Sequence, residues 1–257
     1  MQSIKEIKLL FEQAEKEQWD ALFSRFWADE RAGVKKLVTQ YKKKLEAYNR
    51  EQKRLEEMLL FERKYGGDFH CICGMDEAGR GPFAGPVVAG AVVLPPGLKI
   101  EGLNDSKQVS PKNRERLFDE IMEKAVSVGV GMSSPARVDE INILQATYEA
   151  MRHAIEDLDV VPDLLLNDAV TVPQIPIKQV GIVKGDARSL SIAAASIVAK
   201  VTRDRLMVEY ASLYPEYGFE KNKGYGSAAH REALKKYGPC PIHRETFIHA
   251  YVKTESD

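Results

Sequence analysis

Ile72-Cys73-Gly74-Met75-Asp76-Glu77-Ala78-Gly79-Arg80-Gly81-Pro82-Phe83-Ala84-Gly85-Pro86-Val87-Val88-Ala89-Gly90-Ala91-Val92-Val93-Leu94 is the stretch whose reading decides the fold. Two adjacent carboxylates end a short apolar run, a glycine-arginine-glycine turn follows, and a second apolar run returns. The pattern predicts a strand, a charged tight turn and another strand. Successive side chains of a strand point to opposite faces, so Asp76 and Glu77 reach one common point only where the strand ends and twists. Burying such groups costs on the order of several kcal/mol each unless a cation or hydrogen bonds compensate. The stretch therefore asks for a metal ion.

Upstream, residues 1 to about 65 contain no proline, one glycine (Gly33), both tryptophans (Trp19, Trp27) and a dense mixture of Lys, Glu and Arg. Ile7, Leu10, Phe11 and Ala14, then Leu22, Phe23, Phe26 and Trp27, recur at the three- and four-residue spacing of a helix face. Leu37, Tyr41, Leu45, Tyr48, Leu55 and Leu59 continue that spacing in a more charged helix, with Asp29 to Gly33 as the break between the two. Such a hairpin is either a solvated structure or an accessory surface, with Lys35, Lys36, Lys42, Lys43, Lys44, Lys53 and Arg54 available to phosphates. The glycines of Tyr65-Gly66-Gly67-Asp68 mark a boundary. The expected division is a helical extension over 1–66 and a second domain over 67–257.

Downstream, Phe69 to Met75 and Gly85 to Leu94 read as strands, the second apolar enough to be buried on both faces. Ser110 and Pro111 start a helix as N-cap and first helical residue. Val126 to Met132 is a third strand, and Val138 to Leu158 an amphipathic helix. Pro162 to Asp168 and Gln179 to Asp186 repeat the opening pattern, a short strand delivering a carboxylate. Arg188 to about Tyr210 is a helix whose Ala193-Ala194-Ala195 face suits close packing on a sheet. A glycine-punctuated loop, Tyr214 to Gly226, precedes a short helix over Ser227 to Tyr237. Strands followed by alternating helices and strands predict an α/β fold with a mixed sheet.

Hydrophobic residues make up 44% and charged residues 29% of the 257, enough to bury a core, and the formal net charge of -1 shows no global basic field. A local basic groove beside an acidic site is compatible with that sum. The three cysteines, Cys71, Cys73 and Cys240, lack the partners of a zinc site and read as free thiols of a reducing, cytoplasmic environment. Met1 to Glu6 lack the build of a signal peptide. No run of eighteen apolar residues exists to span a membrane.

Asp76, Glu77, Asp168 and Asp186 all fall at the expected carboxyl ends of strands, where ligand sites of open α/β sheets gather. Oxygen-only ligands select Mg²⁺ or Mn²⁺ over zinc. Two such ions about 4 Å apart serve displacement at phosphorus, so the predicted chemistry is metal-assisted phosphodiester hydrolysis. Plain structural roles also exist: Asp186 as a helix N-cap, and Asp168 as a turn residue. The Asp76-Glu77 pair has no such explanation, because like charges side by side repel. Gly79-Arg80-Gly81 is neither a dinucleotide nor a P-loop motif, yet it exposes backbone groups to a close ligand.

Asp76-Glu77-Ala78-Gly79-Arg80-Gly81-Pro82, Asn104-Asp105-Ser106-Lys107, Gly185-Asp186, Ser191 to Asp204 and Lys223-Gly224-Tyr225-Gly226 together resemble bacterial ribonuclease HII over residues 70 to 250. The alanine after Asp76-Glu77 is similar to that type; the sister type HIII typically carries Asp-Glu-Thr-Gly. The resemblance implies an RNase H-like fold with a C-terminal helical segment. It further implies cleavage of RNA in RNA–DNA hybrids and at single ribonucleotides in duplex DNA, 5′ to the ribonucleotide, leaving 3′-hydroxyl and 5′-phosphate ends. By position, Asp76, Glu77, Asp168 and Asp186 would be the catalytic carboxylates that hold Mg²⁺ or Mn²⁺. Gly79, Arg80 and Gly81 would read the 2′-hydroxyl, Lys107 would contact phosphate, and Tyr225 would stack on the following deoxyribose. A monomer acting in DNA repair is expected, with nucleic acid as its partner. The alternatives are a type HIII-like or other two-metal nuclease, and a non-catalytic nucleic-acid-binding protein.

Overall fold

Helices α1 (Ile4–Gln13), α2 (Trp19–Arg25) and α3 (Ala32–Met58) make up most of the first of two units, Met1–Glu56, in a computed structural model that describes residues 2–252. A capping box between Ser3 and Glu6 starts α1, satisfying amides that a helix end leaves unpaired. The unit closes around aromatic rings. Phe11 stacks on Tyr41 with centroids 4.5 Å apart, and Trp19 meets Tyr41 edge-on at 5.0 Å. The Trp19 indole donates to the carbonyls of Phe11 and Ala14. The apolar period of Ile7 to Trp27 is therefore not one helix: the chain extends at Ala14 and passes a 3₁₀ turn over Lys16–Gln18. The break at Asp29 lies where expected, its carboxylate accepting from the Arg31 amide.

The second unit, Glu57–Asp257, contains α4 (Leu60–Tyr65), then strands β1 (Ile72–Ala78) and β2 (Val87–Val93) formed by the two apolar runs around the glycine turn. There follow α5 (Pro111–Lys124), β3 (Ser127–Ser133), α6 (Pro135–Glu156), β4 (Leu164–Asp168), β5 (Lys178–Ile182) and α7 (Leu190–Leu213). The sheet order is β3-β2-β1-β4-β5. The β1–β2 and β2–β3 pairs are antiparallel, and β1–β4 and β4–β5 parallel. It is the mixed sheet expected, with β1 at its centre and β2 buried throughout. Helices α8 (Phe219–Asn222), α9 (Ala228–Tyr237) and α10 (Glu245–Ile248) follow.

Helix α7 lies directly on β1 and β2, and glycine makes this possible. A Cβ on Gly74 would sit 2.0 Å from the Ser191 carbonyl carbon, and one on Gly90 2.5 Å from the Ala195 oxygen. The small Ala193–Ala195 face completes the approach. On the other side of the sheet Cys73 and Met75 pack with Val138, Ala146 and Ala150 of α6. Strand alternation then puts Asp76 on the α7 face with Gly74, and Glu77 on the opposite face with Met75.

Three elements differ from the sequence reading. Strand β5 ends at Ile182, so Asp186 is not at its end; Lys184 adopts a left-handed φ of 56° and Asp186 sits on a 3₁₀ turn, Gly185–Ala187. Helix α6 is interrupted at Asn142, φ 67°, whose side chain caps the amides of Leu144 and Gln145. The segment Tyr214 to Gly226 is not an open loop: Tyr217 and Phe219 are buried with Ala84, Met207, Leu234 and Ile248. Among the described residues no helix is long and apolar enough to cross a membrane.

Candidate active site

Asp76 lies within the last turn of the pleat of β1, paired with Gly90, and is only 6% exposed. One oxygen accepts from the Glu77 amide at 2.8 Å, and the nearby Ser196 hydroxyl of α7 works to lower the carboxyl pKa. Burial raises the Asp76 carboxyl well above the ordinary range, and the adjacent Glu77 charge raises it further. Glu77 is raised by burial as well, although Arg80, 3.1 Å away, opposes the shift. The pair reaches one cleft because β1 ends one residue later, at Ala78.

Asp168 stands at the end of β4, opposite Ile182. It accepts from the Gly185 amide at 2.7 Å, which ties β4 to the 3₁₀ turn that carries Asp186. Asp186 does not cap α7; Ser189 does, accepting from the Ile192 amide. Nearly buried, Asp186 has its carboxyl raised by desolvation, then by the charges of Asp105 and Asp168, with Lys107 opposing. Burial works against the Lys107 ammonium, yet Asp105, Asp76, Asp186 and Asp168 together outweigh it and raise its pKa. Lys107 is thus the cation that all three strand-borne or turn-borne aspartates share, and Asp168 acts electrostatically on Asp76, Glu77 and Asp186 alike.

The glycine turn is held from beneath by two arginines that bond carbonyls. Arg203 of α7 is 1% exposed and donates to Pro86, Lys223 and Ala84 at 2.9 to 3.0 Å. Arg244 is fully buried and donates five hydrogen bonds, of 2.5 to 3.0 Å, to the carbonyls of Gly79, Arg80, Pro82 and Gly85. Burial and neighbouring Arg203 pull its guanidinium down to about 9, which leaves it charged at neutral pH. Gly79, at φ +91°, has the Arg203 Nε 2.1 Å from where a Cβ would be. The turn requires glycine there both for its conformation and for the clamp.

Tyr225 faces the same cleft, its residue 47% exposed. Its carbonyl meets His230 Nδ1 at 2.9 Å, His230 Nε2 meets His243 Nε2 at 2.9 Å, and the Cys240 amide donates to His243 Nδ1 at 2.9 Å. A carbonyl only accepts and an amide only donates, so both tautomers follow: His230 carries its proton on Nδ1 and His243 on Nε2. Burial, then the neighbouring His230, pull His243 down to about 4, keeping the relay neutral at pH 7. The sequence reading gives no role to Arg244, His230 or His243, nor to Arg203 and Ser106, which lie within its quoted motifs; the Ser106 hydroxyl accepts from Ser196 at 2.9 Å. Lys200 also lines the cleft, bonded to Asp204 at 2.7 Å.

A cluster of oxygen donors with raised carboxyl pKa values is short of positive charge, and such donors suit a hard divalent cation. Among the described residues no three acidic, imidazole or thiol groups converge closely enough to hold one ion; Glu77 turns to Arg80 and Asp168 to the Gly185 amide. The residues fit the ion by their chemistry, all four being carboxylates.

A mixed sheet crossed by one long helix, with acidic groups at the ends of adjacent strands, defines the RNase H-like class of nucleases. The crystal structure of ribonuclease H2 from Pyrococcus horikoshii OT3 superposes with a TM-score of 0.57 at 32% identity, covering 68% of this chain and 93% of that one. RNase HII of Archaeoglobus fulgidus, in its complex with PCNA, superposes with a TM-score of 0.56 at 27% identity, over 72% and 99%. The chain belongs to the ribonuclease HII family: the ribonuclease HII model matches residues 73–250, and the ribonuclease HII N-terminal domain model residues 3–66. Ribonuclease HII of Lachnoclostridium phytofermentans is 62% identical over 224 residues, 87% of this chain and 88% of that protein. The protein is accordingly a hydrolytic endoribonuclease acting on RNA in RNA–DNA hybrids, from a metal-dependent class of enzymes.

Proposed function

We propose that this protein incises duplex DNA at single embedded ribonucleotides, as well as longer RNA–DNA hybrids, on the 5′ side of the ribonucleotide, leaving 3′-hydroxyl and 5′-phosphate ends. One observation carries the reading: the cleft brings the Asp76-Glu77 pair, the clamped Gly79-Arg80-Gly81 turn, Lys107 and Tyr225 to a single wall. Asp76, Glu77, Asp168 and Asp186 are the residues that would hold Mg²⁺ or Mn²⁺, which when bound supplies Lewis-acid polarisation of the scissile phosphate.

The remaining work falls to the chain itself. The Gly79–Gly81 backbone, held by Arg244 through the Gly79 and Arg80 carbonyls and packed against Arg203, offers its amides and the Gly81 carbonyl to the 2′-hydroxyl, the group that separates RNA from DNA. Arg80 and Lys107 neutralise phosphate as it approaches the carboxylates. Tyr225 presents its ring to the deoxyribose that follows, so that an RNA-to-DNA junction fits better than continuous RNA. Residues 1–66 are an accessory extension and 67–257 the catalytic domain. Three free cysteines support work in the reducing cytoplasm, where the enzyme acts as a monomer in removing ribonucleotides from DNA.

The test is a labelled duplex of DNA carrying one ribonucleotide, incubated with Mg²⁺ or Mn²⁺. Incision at the phosphate 5′ of the ribonucleotide is expected. Cleavage of an all-RNA strand in a hybrid with no incision of the single-ribonucleotide duplex refutes the junction reading in favour of a type HIII-like specificity.

A further inference from the structure

Leu60-Phe61-Glu62-Arg63-Lys64-Tyr65 reads as a charged helical turn like those before it, yet α4 leans on the elements that carry two of the cleft aspartates. Phe61 and Tyr65, four positions apart and so on one helix face, pack with Leu164 and Leu166 of β4, Ile182 of β5 and Ile192 of α7. The Arg188 guanidinium lies over the Phe61 ring, 5.1 Å from its centroid. Glu62 Oε1 accepts three hydrogen bonds at the start of α7: from the Ser189 hydroxyl at 2.6 Å, the Ser191 hydroxyl at 2.7 Å and the Ser191 amide at 3.0 Å. A carboxylate in that place also meets the positive end of a 24-residue helix. Both serines are buried, and Glu62 Oε2 is buried without a hydrogen-bond partner.

Asp186 needs such a hold. Its 3₁₀ turn, Gly185–Ala187, is entered through the left-handed Lys184 and flanked by exposed Val183, Lys184 and Arg188, so no packing fixes it from the solvent side. From beneath, Ile192 comes close enough that a Cβ on Gly185 would lie 2.6 Å from its Cδ1. Two pins hold the backbone. Ahead of Asp186 the Gly185 amide donates to Asp168 at 2.7 Å. Behind it the Arg188 and Ser189 amides donate to the Gly185 carbonyl at 2.9 and 2.8 Å, and Glu62 fixes Ser189. The first pin is a carboxylate that is itself assigned to the divalent ion; the second is independent of the ion. Nor is Glu62 needed to cap α7, because the Ser189 hydroxyl already accepts from the Ile192 amide at 3.3 Å.

We propose that Glu62 is a positioning residue for Asp186. By holding Ser189 and Ser191 it sets where the Asp186 carboxylate stands relative to Asp76 and Asp168, and so how well the site takes its ion. It acts through the turn and not on the substrate. The proposal rests on the assignment of Asp186 to the carboxylates that hold Mg²⁺ or Mn²⁺.

The experiment uses the full-length protein and reads Mn²⁺ binding by electron paramagnetic resonance, with steady-state incision of a single-ribonucleotide duplex in parallel. Hydrogen-bonding partners behind a metal site are worth about 10- to 100-fold in affinity or activity. Glu62→Leu, similar in size but without an acceptor, is expected to weaken Mn²⁺ binding and lower kcat by about ten-fold each, with KM within a few-fold of wild type. Glu62→Gln keeps an acceptor in place and restores both. In an Asp186→Asn background Glu62→Leu causes no further loss of Mn²⁺ affinity, because the group it positions is gone. Ser191→Ala deletes one of the three bonds, leaves the carboxylate in place and carries the same test should Glu62→Leu not fold, with an expected loss of about three-fold. Wild-type Mn²⁺ affinity and kcat in the folded variant overturn the proposal. So does an equal loss of affinity from Glu62→Leu in the wild-type and Asp186→Asn backgrounds, which places the effect in folding. Unaltered Mn²⁺ binding by Asp186→Asn alone overturns the carboxylate assignment, and the proposal with it, and is read separately from the Glu62 variants.

Discussion

Arg244→Lys is the substitution that most sharply separates a clamp from a mere buried cation. The Arg244 guanidinium donates five hydrogen bonds to four carbonyls, those of Gly79, Arg80, Pro82 and Gly85, in a site closed to solvent. A lysine brings the same charge with three donors on a single nitrogen, and cannot span a planar fork. At least two of the five hydrogen bonds are lost, and in this buried, charged setting each is worth about 1–3 kcal/mol. The expected destabilisation is therefore roughly 2–6 kcal/mol, a drop of about 2 M in the urea midpoint at the usual slopes. The measurement is urea unfolding followed by near-ultraviolet circular dichroism, with incision assayed where the variant is still folded. There the loosened Gly79–Gly81 turn should lower kcat/KM by ten-fold or more, roughly the loss of one charged hydrogen bond. A variant within about 0.3 M of wild type refutes the idea that the fork holds the turn.

In EDTA, Asp76→Asn should be more stable than wild type at pH 8, by about 1–3 kcal/mol, because it removes a buried carboxylate whose pKa is raised by burial and by Glu77. The sign follows from linkage. Above the raised native pKa the charge is present in both states and costs the native one. As pH falls through that pKa toward the ordinary value near 4, protonation relieves the cost, so thermal melts of the two proteins should converge; a constant gap contradicts it. Lys107→Met removes the cation that holds down Glu77 and Asp186, and kcat/KM in steady-state incision should fall about 10- to 100-fold. His230→Leu leaves the Tyr225 carbonyl and His243 Nε2 without partners; a loss of about 1–3 kcal/mol is expected by thermal denaturation, with KM rising more than kcat falls.

Local chemistry was legible and distant chemistry was not. Asp76-Glu77 announced itself because adjacent like charges at the end of an apolar run have no cheap structural explanation, and the sheet followed from short apolar runs punctuated by glycine and proline. Asp186 was legible as a carboxylate near a helix start but not in its setting, since the left-handed Lys184 that ends β5 early carries no propensity signal. The hinge in α6 was hidden for the same reason: Asn142 reads as one polar residue in an amphipathic period until its side chain is seen to cap the second half. Arg244 was beyond reach altogether. Its carbonyl partners lie 159 to 165 positions upstream, and an arginine that bonds backbone leaves no complementary residue type in the sequence. The His230–His243 relay is hidden likewise, since thirteen positions separate the two and neither spacing nor neighbours distinguish them from surface histidines.

The central claim is that the Asp76-centred carboxylates act in the chemical step on the strand carrying the ribonucleotide. Single-turnover cleavage of a single-ribonucleotide duplex in Mg²⁺, run on wild type and Asp76→Asn with substrate affinity measured in parallel, tests it most directly. The predicted result is a loss of roughly 10³-fold or more in the cleavage rate with affinity within a few-fold of wild type. Cleavage at a comparable rate by the folded Asp76→Asn protein would contradict the claim.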